Sequence, residues 1–147
     1  MYYGGSTMVY HTTMPTDALR QFRDAAQETV SRGLAPVTKN FWQLGESIRG
    51  MMESKGLQSV AAQGFKAPGV AVYYTDDAGI AGKFRAHGVQ IAAGVPFKLD
   101  EPEGLVTFRI GLFGIDKVED IDSAVGRLET ALDACLAEAG VGARSSL

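Results

Sequence analysis

The sequence predicts a small two-layer α/β fold in which a mainly antiparallel sheet carries helices on one face. Three observations point there. Residues 105–114 alternate, with Val106, Phe108, Ile110 and Leu112 on one side and Leu105, Thr107, Arg109 and Gly111 on the other, which is the period of a β-strand. Three other stretches place apolar residues three and four apart, the period of a helix with one apolar face. The strand-like runs are short and only some are separated by a helix, a pattern that fits a small antiparallel sheet under a helical layer.

The elements follow in order. Residues 1–9 show no helical or strand period and read as an irregular arm. Pro15 or Thr16 opens a first helix over residues 16–32, with Thr13 and Thr16 as rival caps and Asp17 in the first turn. Leu19, Phe22, Ala26 and Val30 are its apolar stripe, and Gly33 ends it. A second helix runs from Pro36 to Lys55 on Val37, Phe41, Leu44, Ile48, Met51 and Met52, bordered by Trp42 and stopped by Gly56. Its methionines and tryptophan read as core packing ahead of pocket lining. Residues 57–62 are a short strand candidate, and residues 65–69 a turn around Pro68. Residues 70–75 form a firmer strand, rich in β-branched and aromatic side chains. Asp76 and Asp77 cap a short helix over residues 78–87, closed by His87 as a C-terminal cation and by Gly88. Residues 89–93 are another short strand, and residues 97–104 an acidic loop before the strand of Arg109. A last helix carries Val118, Ile121, Val125, Leu128, Leu132, Cys135 and Leu136 on one stripe and ends at Gly140. The expected order is α-α-β-β-α-β-β-α, with an arm at residues 1–15 and one domain over residues 16–147.

Composition narrows the function classes. The chain has 147 residues, 46% of them hydrophobic and 21% charged, enough for one globular domain with its own core. A net charge of −3 with scattered basic residues gives no footprint for nucleic acid or an anionic membrane surface. One cysteine, Cys135, allows no internal disulfide, and its place on an apolar stripe makes it a buried, inert thiol. Two histidines far apart in sequence suggest no metal cluster, and no apolar run is long enough to span a bilayer. The expectation is a cytoplasmic enzyme or binding domain.

Two places carry candidate chemistry. Arg109 stands among apolar neighbours on its strand, where a partly desolvated guanidinium requires an anion, and its planar fork suits a carboxylate. Gly111 and Gly114 keep the backbone beside it free of side chains. The rival reading is a structural salt bridge to one of the chain's own acids. Tyr10 and Thr13 precede a helix start, where a phenol, a hydroxyl and backbone N–H groups suit a phosphate; the rival is a capping threonine beside a packing tyrosine. No nucleophilic triad and no phosphate-binding glycine motif is present. Lys39, Lys55, Lys66, Lys83, Lys98 and Lys117 lie on polar helix faces or in loops, and none has the setting of a Schiff-base lysine.

The run from Tyr10 to Pro15 (Tyr-His-Thr-Thr-Met-Pro), the helices after it, residues 88–94 and the Arg-Ile-Gly strand together resemble the carboxy-terminal part of class V aminotransferases. These are fold-type I enzymes that use pyridoxal 5'-phosphate, and the alanine–glyoxylate and serine–glyoxylate aminotransferases are the nearest kind. The resemblance spans Tyr10 to about Ala139. It implies that Arg109 binds the substrate carboxylate and that Tyr10 and Thr13 reach the cofactor phosphate of a neighbouring subunit in a homodimer. It implies an amino group passed between a small amino acid, alanine or serine, and a 2-oxo acid such as glyoxylate. Thr12 stands where the family often has a second histidine. The family's large domain, with its Schiff-base lysine and the aspartate for the pyridine nitrogen, would precede Met1. A non-catalytic binding or dimerisation module, and one half of a split transaminase, are the alternatives. The expectation is that this chain alone does not catalyse transamination, and amino-group exchange between alanine and glyoxylate by the purified chain would overturn it.

Overall fold

The computed structural model describes residues 12–144 and, in its last helix, side chains as far as Glu138. The chain forms two compact units, one ending at Leu34 and the other beginning at Ala35.

The first unit holds helix α1, Thr16–Ser31. Pro15 is its N-cap residue and no side chain caps it, so neither Thr13 nor Thr16 takes the expected role. Thr16 is already helical, one place past the cap, and its N–H turns back onto the Met14 carbonyl at 2.8 Å. Gly33 ends the helix at φ 85°, its N–H on the Val30 carbonyl at 3.0 Å. The apolar stripe has the expected period, but Leu19, Phe22 and Val30 are exposed and α1 has no buried residue.

The second unit starts with α2, Leu34–Ser54, which begins two residues before Pro36. Proline is tolerated there because the first turn needs no N–H donor. Then come β1 (Val70–Tyr74), α3 (Ile80–Ala86), β2 (Ala92–Ala93), β3 (Thr107–Gly111), α4 (Ile115–Glu119) and α5 (Ile121–Arg144). The sheet is antiparallel in the order β1-β3-β2. Alternation along β1 and β3 sends Ala71, Tyr73, Phe108, Ile110 and Leu112 to one side. There they meet Leu44, Ile48 and Met52 of α2, Ile80 and Phe84 of α3, Val118 of α4, and Leu128, Leu132 and Cys135 of α5 in a single core. Phe108 is its aromatic centre, with ring centroids 5.6 Å from Tyr73 and 6.1 Å from Phe84. All helices of this unit therefore serve one face of the sheet, as the sequence predicts. No helix among the described residues is long and apolar enough to cross a membrane.

Four boundaries differ from expectation. Residues 57–62 do not form a strand: they touch β1 through a single bridge, Ser59 opposite Tyr73, with Val60 N–H on the Val72 carbonyl at 2.9 Å. The alanines and glycine that follow have little β-propensity to extend it. The strand expected at 89–93 shrinks to two residues. The last helix is broken at Asp120 (φ −134°, ψ 76°), whose carboxylate accepts the Ser123 N–H at 3.1 Å and so caps α5. Gly140 does not stop α5, which continues to Arg144; an interior glycine costs only about 1 kcal/mol in a helix.

Leu132 is fully buried at the centre of α5. Leu132→Ala should lower stability by about 2–5 kcal/mol, read as an earlier urea midpoint at an unchanged slope. A change below about 1 kcal/mol would place this residue outside the core.

Candidate functional site

The face of the sheet opposite the helices carries the candidate site. Arg109 lies on it at the middle of the central strand, with Val72 of β1 and Ala92 of β2 directly opposite on its two sides. Both neighbours are half-buried, while Arg109 itself is exposed. The partial desolvation expected for this arginine is not met, because the helices of the second unit all pack on the opposite face of the sheet. The rival salt bridge is not found either: the Arg109 guanidinium has no hydrogen bond or ion pair with any described residue. Several other cations of the chain are engaged. Lys55 holds Glu129 and Asp133 at 3.0 and 2.7 Å, Lys83 holds Asp77 at 2.7 Å, and Lys66 meets Glu53.

The two ends of this face are built differently. At one end Thr107 is buried, because the Gly94 backbone crosses it with its N–H on the Thr107 carbonyl at 2.7 Å. A Cβ at Gly94 would stand 1.8 Å from the threonine Oγ1, so only glycine permits the crossing. At the other end Gly111 leaves the sheet bare and Phe113 folds back over it. A Cβ at Gly111 would stand 3.2 Å from two of its ring carbons, and one at Gly69 would stand 2.9 Å from a third. Phe113 keeps 63% of its surface exposed in this position.

A cleft of about 390 Å³ adjoins the Thr107 end, lined among others by Gly94, Phe97, Glu101 and Leu105. Its loop turns through left-handed backbone at Lys98 (φ 56°) and Asp100 (φ 59°). The Glu101 carboxylate accepts the N–H groups of Lys98 and Leu99 at 2.8 and 2.7 Å. These backbone donors hold its pKa down at about 2. The loop donors already serve the chain's own carboxylate, so this cleft is a poorer anion site than the open face.

Two polar groups that the sequence did not single out are deep in the structure. Arg49 of α2 is only 6% exposed. Its guanidinium donates to the carbonyls of Gly45 at 3.3 Å, Val70 at 2.8 Å and Ala67, tying the first residue of β1 to the helix. The one sequence signal was a charge bordering an apolar stripe four residues after a glycine. Tyr73 is fully buried and its hydroxyl has no partner among the described residues. Burial pushes its pKa up to about 12, which keeps the phenol neutral at ordinary pH. Burial likewise raises the Cys135 pKa, as suits the inert thiol expected there. His87 pairs with Glu138 at 2.8 Å at the end of α3.

Of the remaining site candidates, Thr13 is exposed three residues before α1, and Tyr10 lies outside the described residues. None of the six lysines is a buried strand-end amine: Lys55, Lys66, Lys83 and Lys117 sit in ion pairs, and Lys39 and Lys98 are exposed.

No family model and no curated protein matches the chain. Among solved structures it is similar to an alanine–glyoxylate aminotransferase from Nostoc sp., with 25% identity and a TM-score of 0.64 over 87% of this chain. That superposition covers 34% of the other chain, so this chain spans about a third of its length. A serine palmitoyltransferase from Sphingomonas wittichii superposes over 69% of this chain and 24% of its own, at 20% identity and a TM-score of 0.47, too loose a match to support an argument. The α/β fold described above is thus similar to that of an aminotransferase domain.

Glu101 gives a pH test of the loop beside the site. Its folded pKa of about 2 lies below the ordinary value of 4.5, so its contribution is complete above about pH 4.5 and is lost as pH falls towards 2. Carboxyl-detected NMR should show Glu101 titrating near 2, with exchange protection of the Lys98 and Leu99 amides fading in step; titration near 4.5 would contradict the tethered loop.

Proposed function

We propose that this chain is the small carboxy-terminal part of a pyridoxal-phosphate-dependent aminotransferase of the class V, alanine–glyoxylate type. The observation that carries the reading is Arg109: a guanidinium with no partner among the described residues, at the centre of the sheet face opposite the helices of its unit, in a fold similar to part of an alanine–glyoxylate aminotransferase. In this reading residues 16–147 are the domain body and residues 1–15 an arm that contacts the cofactor. The working enzyme is a cytoplasmic homodimer that includes a large domain. Its reaction passes an amino group between alanine or serine and a 2-oxo acid such as glyoxylate.

Arg109 fits the substrate end of such a site, and Thr13 with Tyr10 fits the phosphate end of the neighbouring subunit's site. Arg109 offers two parallel N–H donors to a substrate carboxylate, and its seat on a doubly paired strand fixes their origin. Thr13, with Tyr10, supplies hydroxyls for the cofactor phosphate of the neighbouring subunit, ahead of a helix whose N-cap residue, Pro15, makes no side-chain bond. When bound, pyridoxal phosphate supplies the electron sink for amino transfer. The ion-paired and exposed lysines do not fit its covalent anchor, so in this reading the anchoring amine belongs to the large domain.

The test is a titration of the labelled chain with glyoxylate, followed by NMR at the amides of Val72, Ala92 and Arg109. Arg109→Ala should abolish the shifts, and Arg109→Lys, which keeps the charge but loses the fork, should weaken binding by about tenfold. Titration of Arg109→Ala indistinguishable from the original chain would end this reading.

A further inference from the structure

The two ends of the Arg109 face do not offer equal room. Towards Thr107 the way is closed by the Gly94 backbone. To the sides stand Val72 and Ala92. Towards Gly111 the sheet has no side chain, and the first surface met is the exposed ring of Phe113 lying over Gly111 and Gly69. Arg109 and Gly111 are consecutive positions on one face of a strand, with Cα atoms about 7 Å apart, so the next position along the face from Arg109 is the one the Phe113 ring covers. The two glycines are what let the ring lie there, since a Cβ at either would press into it. The geometry points to Phe113 as a specificity-determining residue: its ring is an apolar wall that selects short aliphatic carboxylates, with the carbon chain running from Arg109 towards Gly111. This rests on the reading of Arg109 as the carboxylate clamp and adds the direction and chemistry of the rest of the ligand. For 2-oxo acids and their amino acids it means that a methyl or ethyl group beyond the reacting carbon gains contact, whereas a hydrogen does not.

A ladder of acetate, propanoate and butanoate separates this inference from the one beneath it. Each is titrated by NMR into the full chain, into Phe113→Ala, into Gly111→Ala and into Arg109→Ala. Phe113 is exposed and Gly111 has no left-handed backbone, so these variants should fold, which circular dichroism checks. In the original chain each added methylene should tighten binding about twofold, since one face of a ring covers about half of a methylene's surface. Phe113→Ala should flatten the ladder while acetate binds as before, and Gly111→Ala, which displaces the ring, should reduce the step. If Arg109→Ala loses all binding but the ladder keeps its slope in Phe113→Ala, the wall is wrong and the carboxylate clamp stands. If binding does not depend on Arg109, both are wrong.

Discussion

Hydrogen bonding on both edges of β3 decides where every side chain of that strand goes. Five residues pair with β1 and two with β2, and the side-chain period of two then separates Phe108 and Ile110 from Arg109 without further choice. A slip of one residue would carry Arg109 into the cluster around Phe84 and Leu132 and turn Phe108 out. An uncompensated guanidinium in that cluster would cost several kcal/mol, and the expelled ring would forfeit about 2 kcal/mol more. The register that builds the core is therefore the same one that presents the cation, and fold and candidate site share one origin.

Arg49 and Arg109 show how differently one residue type is used. Arg49 starts from a helix of mixed composition and ends buried, with peptide carbonyls as its partners. Arg109 starts from an apolar run and ends exposed, with no partner among the described residues. Local composition pointed the other way for Arg109 and raised no expectation for Arg49. Burial of a side chain depends on which layer packs over its face, and the neighbours along the chain do not report that. Two of the three carbonyls that satisfy Arg49 come from 18 and 21 residues away, at Ala67 and at the start of β1, an approach the sequence alone does not reveal.

What was legible follows from the same distinction. A period of two placed β3, β-branched and aromatic content placed β1, and a period of about three and a half placed α2 and α5, whose stripes name about half of the core. The period of α1 was equally clear, yet its stripe is exposed, since an amphipathic pattern records a capacity for burial and not its fulfilment. The break at Asp120 was hidden because the apolar stripe runs on through both helices and the capping contact is a single side chain. At the candidate site the sequence singled out Arg109, but the roof of Gly94 over Thr107 and the ring of Phe113 on Gly111 arise from backbone approaches, which leave only scattered glycines as a trace.

The brevity of β2 has a bearing on solubility. A central strand with one short neighbour leaves Ile110 and Gly111 without a ladder partner on that side. Such an edge is a template on which a strand from another molecule can add. Here the open stretch is only two residues of β3, and a stretch this short gives a foreign strand too few bonds to hold. Strand length alone thereby guards the molecule against growth by addition at that edge.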